Sequence, residues 1–397
     1  MKKRTILSVV LSCLLMLLSC LAPLSVGAAR TSGETVTTAL TEVQKPEPFA
    51  CRGAVLMEAE TGSVLYEQNA DEALPPASVT KIMTLLLVME TIEGGSLGWE
   101  DIVTASAHAA SMGGSQIFLK EGEQMTVRDL VKSVVIASAN DAALALAEAV
   151  AGSEESFVKR MNARAAELGM EHTHFENTNG LDDTAQNHAI SARDIAIMSR
   201  ALIRHKEILT YSSTWMDTVR DGAFGLTNTN RLVRFYRGCN GLKTGSTAKA
   251  GFCVSVTAER DGMTLICVIM GAENRDSRNA AAAALLDWGF ANYALYTCPA
   301  AELSPVRVTG GVQSQVGLSH AGLACVLPRA DLSAAETALA LPDRVAAPVG
   351  AGETVGKLEV TCRGECLGTV EVKTTEAVER IGFWELFRRL AARVFLV

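Results

Sequence analysis

Histidine is scarce in this chain: six residues in 397, dispersed and without the clustered cysteine, histidine and carboxylate spacing of a metal site, so no metal and no cofactor is expected. Positive charge is in deficit as well. Lysine and arginine number 36 against 44 acidic residues, for a formal net charge of −8. Losing Lys2, Lys3 and Arg4 with a cleaved amino terminus takes it to −11, which argues for an acidic body and against a nucleic-acid partner. Cysteine is present, ten in all, but not as a framework. Two lie near the amino terminus, and the other eight are scattered, several inside apolar runs such as Phe252-Cys253-Val254 and Ile266-Cys267-Val268. These read as buried small hydrophobes. Cys362 and Cys366 are the one close pair that could bridge in an oxidising compartment.

The amino terminus sets the compartment. Lys2-Lys3-Arg4, the apolar stretch from Ile6 to Leu21 and the small residues Val26-Gly27-Ala28-Ala29 have the form of a secretory signal over residues 1–29. Residues 30–49, polar and without period, predict a flexible leader. Gly53–Met57 and Ser63–Tyr66 around Glu60-Thr61-Gly62 predict a hairpin. Helical spacing then runs through Thr126–Ser138, Asp141–Ala151, Glu154–Leu168 and Ser191–His205. Strands return at Leu242–Ser246, Gly251–Ala258 and Met263–Gly271, the last two joined by Asp261-Gly262, and a helix over Ser277–Tyr293 follows. Strands at both ends of a helical middle imply one α+β domain over 50–298, its sheet assembled from distant segments. Residues 302–375, with short apolar runs between Gly, Pro and Asp, predict a small all-β domain. Residues 376–397 close the chain. On a helical wheel Glu385, Arg388, Arg389 and Arg393 gather opposite Phe383, Phe387, Leu390, Val394 and Val397, with Trp384 near the boundary. The charges exclude a comfortable span, and the pattern suits a helix lying in a membrane interface.

Three short motifs carry the chemistry: Ser78-Val79-Thr80-Lys81, Ser138-Ala139-Asn140 and Lys243-Thr244-Gly245. Ser78 follows Pro75-Pro76-Ala77 and opens the apolar run Ile82–Met89, so it should begin a buried helix with Lys81 on the same face one turn on. An S-x-x-K tetrapeptide alone is weak. An N-cap serine with a solvated lysine, or helix capping by Ser138 and Asn140, would explain each fragment separately, but not the three together in this order.

Together the motifs resemble those of the penicillin-recognising serine enzymes, and the chain is similar to the low-molecular-weight penicillin-binding proteins of the D-alanyl-D-alanine carboxypeptidase family. The segments Gly114–Ile117, Phe175–Leu181, His188–Asp194 and Asn228-Thr229-Asn230 are also like that family's. Within Asn177-Thr178-Asn179, however, an asparagine stands where a proline or threonine belongs. The resemblance implies a serine transpeptidase/β-lactamase-like domain, antiparallel sheet with helices, followed by the β-domain and an amphipathic anchor. Its implied partners are peptidoglycan stem peptides ending in D-Ala-D-Ala, β-lactams and a membrane surface, and its implied location is the outer face of the cytoplasmic membrane.

The expected chemistry is acyl transfer. Ser78 attacks the penultimate D-alanine carbonyl, and Lys81 takes its proton, being neutral at pH 7 through burial and a neighbouring cation, Lys243. Ser138 relays the proton to the leaving amine, while Asn140 holds Lys81 and a substrate amide. Lys243-Thr244-Gly245 is expected on an edge strand facing Ser78, with Gly245 leaving room for substrate and Lys243, Thr244 and Thr247 binding its terminal carboxylate. The amides of Ser78 and Ser246 are implied as the oxyanion hole. The alternatives are a D,D-endopeptidase on crosslinked peptides, a serine β-lactamase, for which Glu176 is the nearest candidate to activate water although its spacing to asparagine does not reproduce that loop, and a non-catalytic wall-binding protein.

Overall fold

The computed structural model describes residues 39–182 and 185–395, so the signal segment and residues 30–38 of the leader lie outside it. Residues 39–49 run extended over the surface, where Thr41 donates to the buried Asp331 carboxylate and Trp288 Nε1 donates to Gln44 O.

The chain's central sheet has five antiparallel strands in the order Val64–Gln68, Gly53–Glu58, Met263–Ala272, Gly251–Arg260 and Cys239–Thr247. The expected hairpins are both present, and the Cys239–Thr247 strand is an edge, as anticipated. Alternation along Met263–Ala272 explains why its sequence is apolar on both parities. Ile266, Val268 and Met270 pack into one core with the helices Lys81–Glu93, Val127–Ala137, Asn140–Ala151 and Ala192–Leu202. Leu265, Cys267 and Ile269 pack into a second core with Leu285, Leu286 and Phe290 of the Arg275–Asn292 helix. A strand buried on both faces reads as a continuous apolar run, and the sheet is the middle layer between helices.

Strand Tyr293–Cys298 continues directly from that last helix and pairs with Leu323–Pro328, so it hydrogen-bonds into the module that follows. That module has its own core, built on Val306, Val316, Leu318, Val360 and Val372, and a six-stranded sheet between Ala301 and Thr374. Cys362 and Cys366 do not bridge. Both are free thiols, because Cys362 points inward to Asp331 O while Cys366 is exposed. All eight cysteines of the described residues are free.

The terminal helix spans Phe383–Phe395. Arg388 and Arg389 pair with Glu385, and Arg389 also donates to Val312 O. Phe383, Trp384, Phe387 and Leu390 stay exposed. The polar face therefore touches the β-module and the aromatic face does not. The side chains of Arg393, Val394 and Val397 lie outside the described residues. No described helix is long and apolar enough to cross a membrane.

Candidate active site

Ser78 sits on a 3₁₀ turn, Ala77–Thr80, which leads into the Lys81–Glu93 helix. The expectation was a first α-helical turn. The tighter turn matters because residues three apart eclipse, and Lys81 Nζ accordingly lies 2.9 Å from Ser78 Oγ. Ala77, immediately before the serine, has φ +50°, in the left-handed region that costs a non-glycine residue about 1–2 kcal/mol. Two neighbours hold it there. Thr80 Oγ1 donates to Ala77 O, and the backbone of Gly180 lies so close to that carbonyl that any side chain at 180 would collide with it.

Lys81 is fully buried, and its second partner is the carbonyl of Asn179 at 2.9 Å. Burial first, and then the Lys243 cation, depress its ammonium well below 10.5, while Asp141 opposes them. The Asn177 side chain builds the loop that delivers that carbonyl. Its Oδ1 accepts from the Asn179 and Gly180 amides and its Nδ2 donates to Leu181 O, so an asparagine turn does there what a proline or threonine was expected to do.

Ser138 closes the Val127–Ala137 helix in a left-handed conformation, φ +63°, and accepts from Lys243 Nζ at 2.8 Å. It caps nothing downstream, since the next helix starts at Asn140 with Ala139 as its N-cap residue. Asn140 departs from expectation. Its Nδ2 donates to Gly113 O at 2.7 Å and its backbone amide to Ser115 O, which turns the side chain toward the 113–115 segment; Lys81 is held by Asn179 instead. Asn140 Oδ1 is buried without a partner, leaving an acceptor beside the cleft.

On the edge strand, Lys243 is 1% exposed and also donates to Thr244 O. Burial, reinforced by the Arg278 guanidinium, lowers its ammonium from 10.5 to about 7. Thr244 Oγ1 donates to Thr229 Oγ1. Gly245 also meets a packing constraint that its motif did not announce. A Cβ there would stand 2.8–2.9 Å from Ser78 N, Val79 N and Pro76 O, so glycine lets the strand close onto the Ser78 turn. Ser246 is exposed beside it, whereas Thr247 Oγ1 accepts from Ala250 N in the following turn.

These elements enclose a cleft of about 610 Å³ lined by Ser78, Ser115, Ser138, Thr244 and Ser246. Arg231, Arg275 and Arg278 also line it, and none of them was legible in the sequence. Arg278 is 3% exposed and held by Cys253 O and Asn279 Oδ1; burial, then Arg275, lowers it to about 10. Thr229 and Asn179 lay inside segments already noted, without a role. Glu176 is not on the cleft, because its carboxylate accepts from the Gln186 and Asn187 amides. Among the described residues no cluster could hold a metal.

A serine hydrogen-bonded to a buried lysine, on a helical layer against an antiparallel sheet, is the arrangement of a serine acyl-transfer enzyme. Residues 39–274 match the peptidase S11 family, described as D-alanyl-D-alanine carboxypeptidase, and the chain belongs to that family. Residues 301–380 match the C-terminal domain of penicillin-binding protein 5. The chain is 40% identical over 345 residues to the D-alanyl-D-alanine carboxypeptidase DacF of Bacillus subtilis, covering 85% of this chain and 88% of that one. Its fold is similar to penicillin-binding protein 5 from Haemophilus influenzae, with TM-score 0.75, 30% identity, and 85% of this chain and 100% of that chain covered. It is also similar to penicillin-binding protein D2 of Listeria monocytogenes in its ampicillin-bound form, with TM-score 0.57, 33% identity, and 62% and 100% covered.

Proposed function

We infer that this D-alanyl-D-alanine carboxypeptidase removes the terminal D-alanine of peptidoglycan pentapeptides through an acyl-enzyme on Ser78. One observation carries the assignment of roles: Ser78, Lys81, Ser138 and Lys243, from three distant segments, meet in hydrogen-bonded pairs at one cleft. With its amine neutral, Lys81 takes the Ser78 proton as the oxygen attacks the penultimate carbonyl. The amides of Ser78 and Ser246 stabilise the oxyanion. Ser138 donates its hydroxyl proton to the departing amine and takes a replacement from the Lys243 ammonium bonded to it. Water then hydrolyses the ester. Lys243 and Thr244, with Arg278 behind them, hold the terminal carboxylate. A β-lactam acylates Ser78 in the same way, but its fragment stays tethered and the enzyme is blocked.

Penicillin labelling and D-alanine release from a pentapeptide test this directly. Ser78→Ala should abolish both with the fold intact, and Lys81→Ala should lower acylation by about 10²–10⁴-fold. Stoichiometric labelling of Ser78→Ala would sink the assignment.

The same reading puts the enzyme outside the cytoplasmic membrane, held to its outer face by the Phe383–Phe395 helix. The exposed aromatic face and arginines support this, since apolar burial and attraction to anionic lipid together anchor where either alone is marginal. Truncation before Ile381 should stop flotation with anionic liposomes and leave peptide hydrolysis unchanged. Equal flotation of both forms would reject the anchor.

A further inference from the structure

Three residues beyond Ser115, which lines the catalytic cleft, Phe118 projects into solvent. It is 66% exposed and its φ is +58°, a steric outlier for an aromatic residue. The backbone on both sides of it is fixed. Ile117 N (3.2 Å) and Leu119 N (2.9 Å) donate to the buried Asp141 carboxylate, and Arg220 Nη1 donates to Ile117 O at 2.8 Å. Asp141 adjoins Asn140, so the helix that begins with a catalytic-motif residue also imposes the left-handed turn that presents Phe118.

Opposite stands Phe224, its ring 6.3 Å from that of Phe118, edge to face, with the Arg220 guanidinium 5.3 Å from the Phe224 centroid. These side chains, with Lys120, line a shallow groove of about 640 Å³. The groove shares no lining residue with the cleft, but two chain segments lead from one to the other. One runs from Ser115 to Phe118, the other from Thr227 to Phe224. Three residues span at most about 10 Å, whereas the four-residue acyl part of a stem pentapeptide extends about 13–14 Å from the reacting carbonyl. The acyl part of the substrate is thus longer than the stretch of wall between the cleft's Ser115 and Phe118, a length compatible with its sugar end lying at the groove.

We propose that the Phe118–Phe224 groove is a subsite for the amino-sugar to which the stem peptide is attached, so that the enzyme reads the glycan end of its substrate as well as the D-Ala-D-Ala end. The apolar face of a pyranose ring packs on the exposed aromatic pair, Lys120 offers donors to its oxygens, and Glu121 offers an acceptor to its hydroxyls, while Arg220 is held by Glu123 and the Ile117 carbonyl and fixes the groove's wall. This rests on the carboxypeptidase reading above.

The test compares kcat/KM for a disaccharide pentapeptide and for the same pentapeptide without sugar, using the mature full-length enzyme, Phe118→Gly and Phe224→Ala. Glycine tolerates φ +58°, so Phe118→Gly should melt no lower than the parent while losing the ring. The parent should favour the glycosylated substrate by about three- to tenfold, the usual worth of an aromatic contact. Both variants should lose that preference, with sugar-free hydrolysis and penicillin acylation unchanged. A parent without the preference, a preference that survives in both variants, or an equal fall on both substrates would overturn the subsite. Failure of the parent on both substrates would overturn the carboxypeptidase reading too, and penicillin acylation separates the two cases.

Discussion

Replacing Lys243 by methionine keeps most of the side-chain volume and removes a buried charge, so the fold should gain stability at low pH as catalysis is lost. Burial and then Arg278 hold the ammonium at about 7 instead of 10.5. Below about pH 7 the folded and unfolded chains are both protonated, and the folded state bears the whole cost, about 5 kcal/mol. Between 7 and 10.5 the unfolded chain keeps a proton that the folded chain has released. Stability then rises with pH by about 1.4 kcal/mol per unit, and the cost vanishes above 10.5. Against this, methionine forfeits the bonds to Ser138 Oγ and Thr244 O, an offset of about 1–3 kcal/mol. Relief of Lys81, the second ammonium that Lys243 opposes, acts in the same stabilising sense. The variant should thus be more stable by about 2–4 kcal/mol near pH 6 and hold little or no advantage by about pH 9. In thermal melts this is a rise of roughly 4–16 °C near pH 6 for a domain of this size. A lower melting temperature near pH 6, or an advantage that does not shrink by pH 9, would refute the reasoning.

Amidating the C-terminal D-alanine should cost about 1.5–3 kcal/mol in kcat/KM if Lys243 and Thr244 hold a carboxylate; equal values for acid and amide reject that role. Gly245→Ala forces a Cβ against the backbone of Ser78 and Val79 and should slow penicillin acylation by about 10²-fold, as misplaced reacting groups do. A fall below tenfold would mean that the turn yields easily. Asn177→Ala removes the turn that aims the Asn179 carbonyl at Lys81 and should cut acylation about five- to tenfold, the worth of one hydrogen bond, while Asn177→Asp, which keeps the acceptor, should recover most of it. Identical rates for the two variants would remove Asn177 from the argument.

What the sequence determined by itself was local: periodicity marked the helices and hairpins, and three motifs at fixed order marked the serine, the lysines and the edge strand. Ser78 and Lys81 were legible because three residues suffice to join them. The tertiary structure decided everything that depends on long separations. It alone set Lys243 on Ser138, 105 positions away, and Asn179 O on Lys81, 98 positions away. It gave Asn140 a different partner from the one its motif suggested, and kept Cys362 and Cys366 apart although they are near neighbours in the chain. Gly245 shows the division in one residue. The motif called for a glycine there, and only the packed turn of Ser78 against the strand supplies the reason, since side-chain volume is tested by neighbours that the linear chain does not contain. Arg278 was illegible for the same cause: a cation on a helix is a solvated charge until a strand such as the one carrying Cys253 packs against it and buries it, whereas Arg231 and Arg275 stay exposed at the cleft.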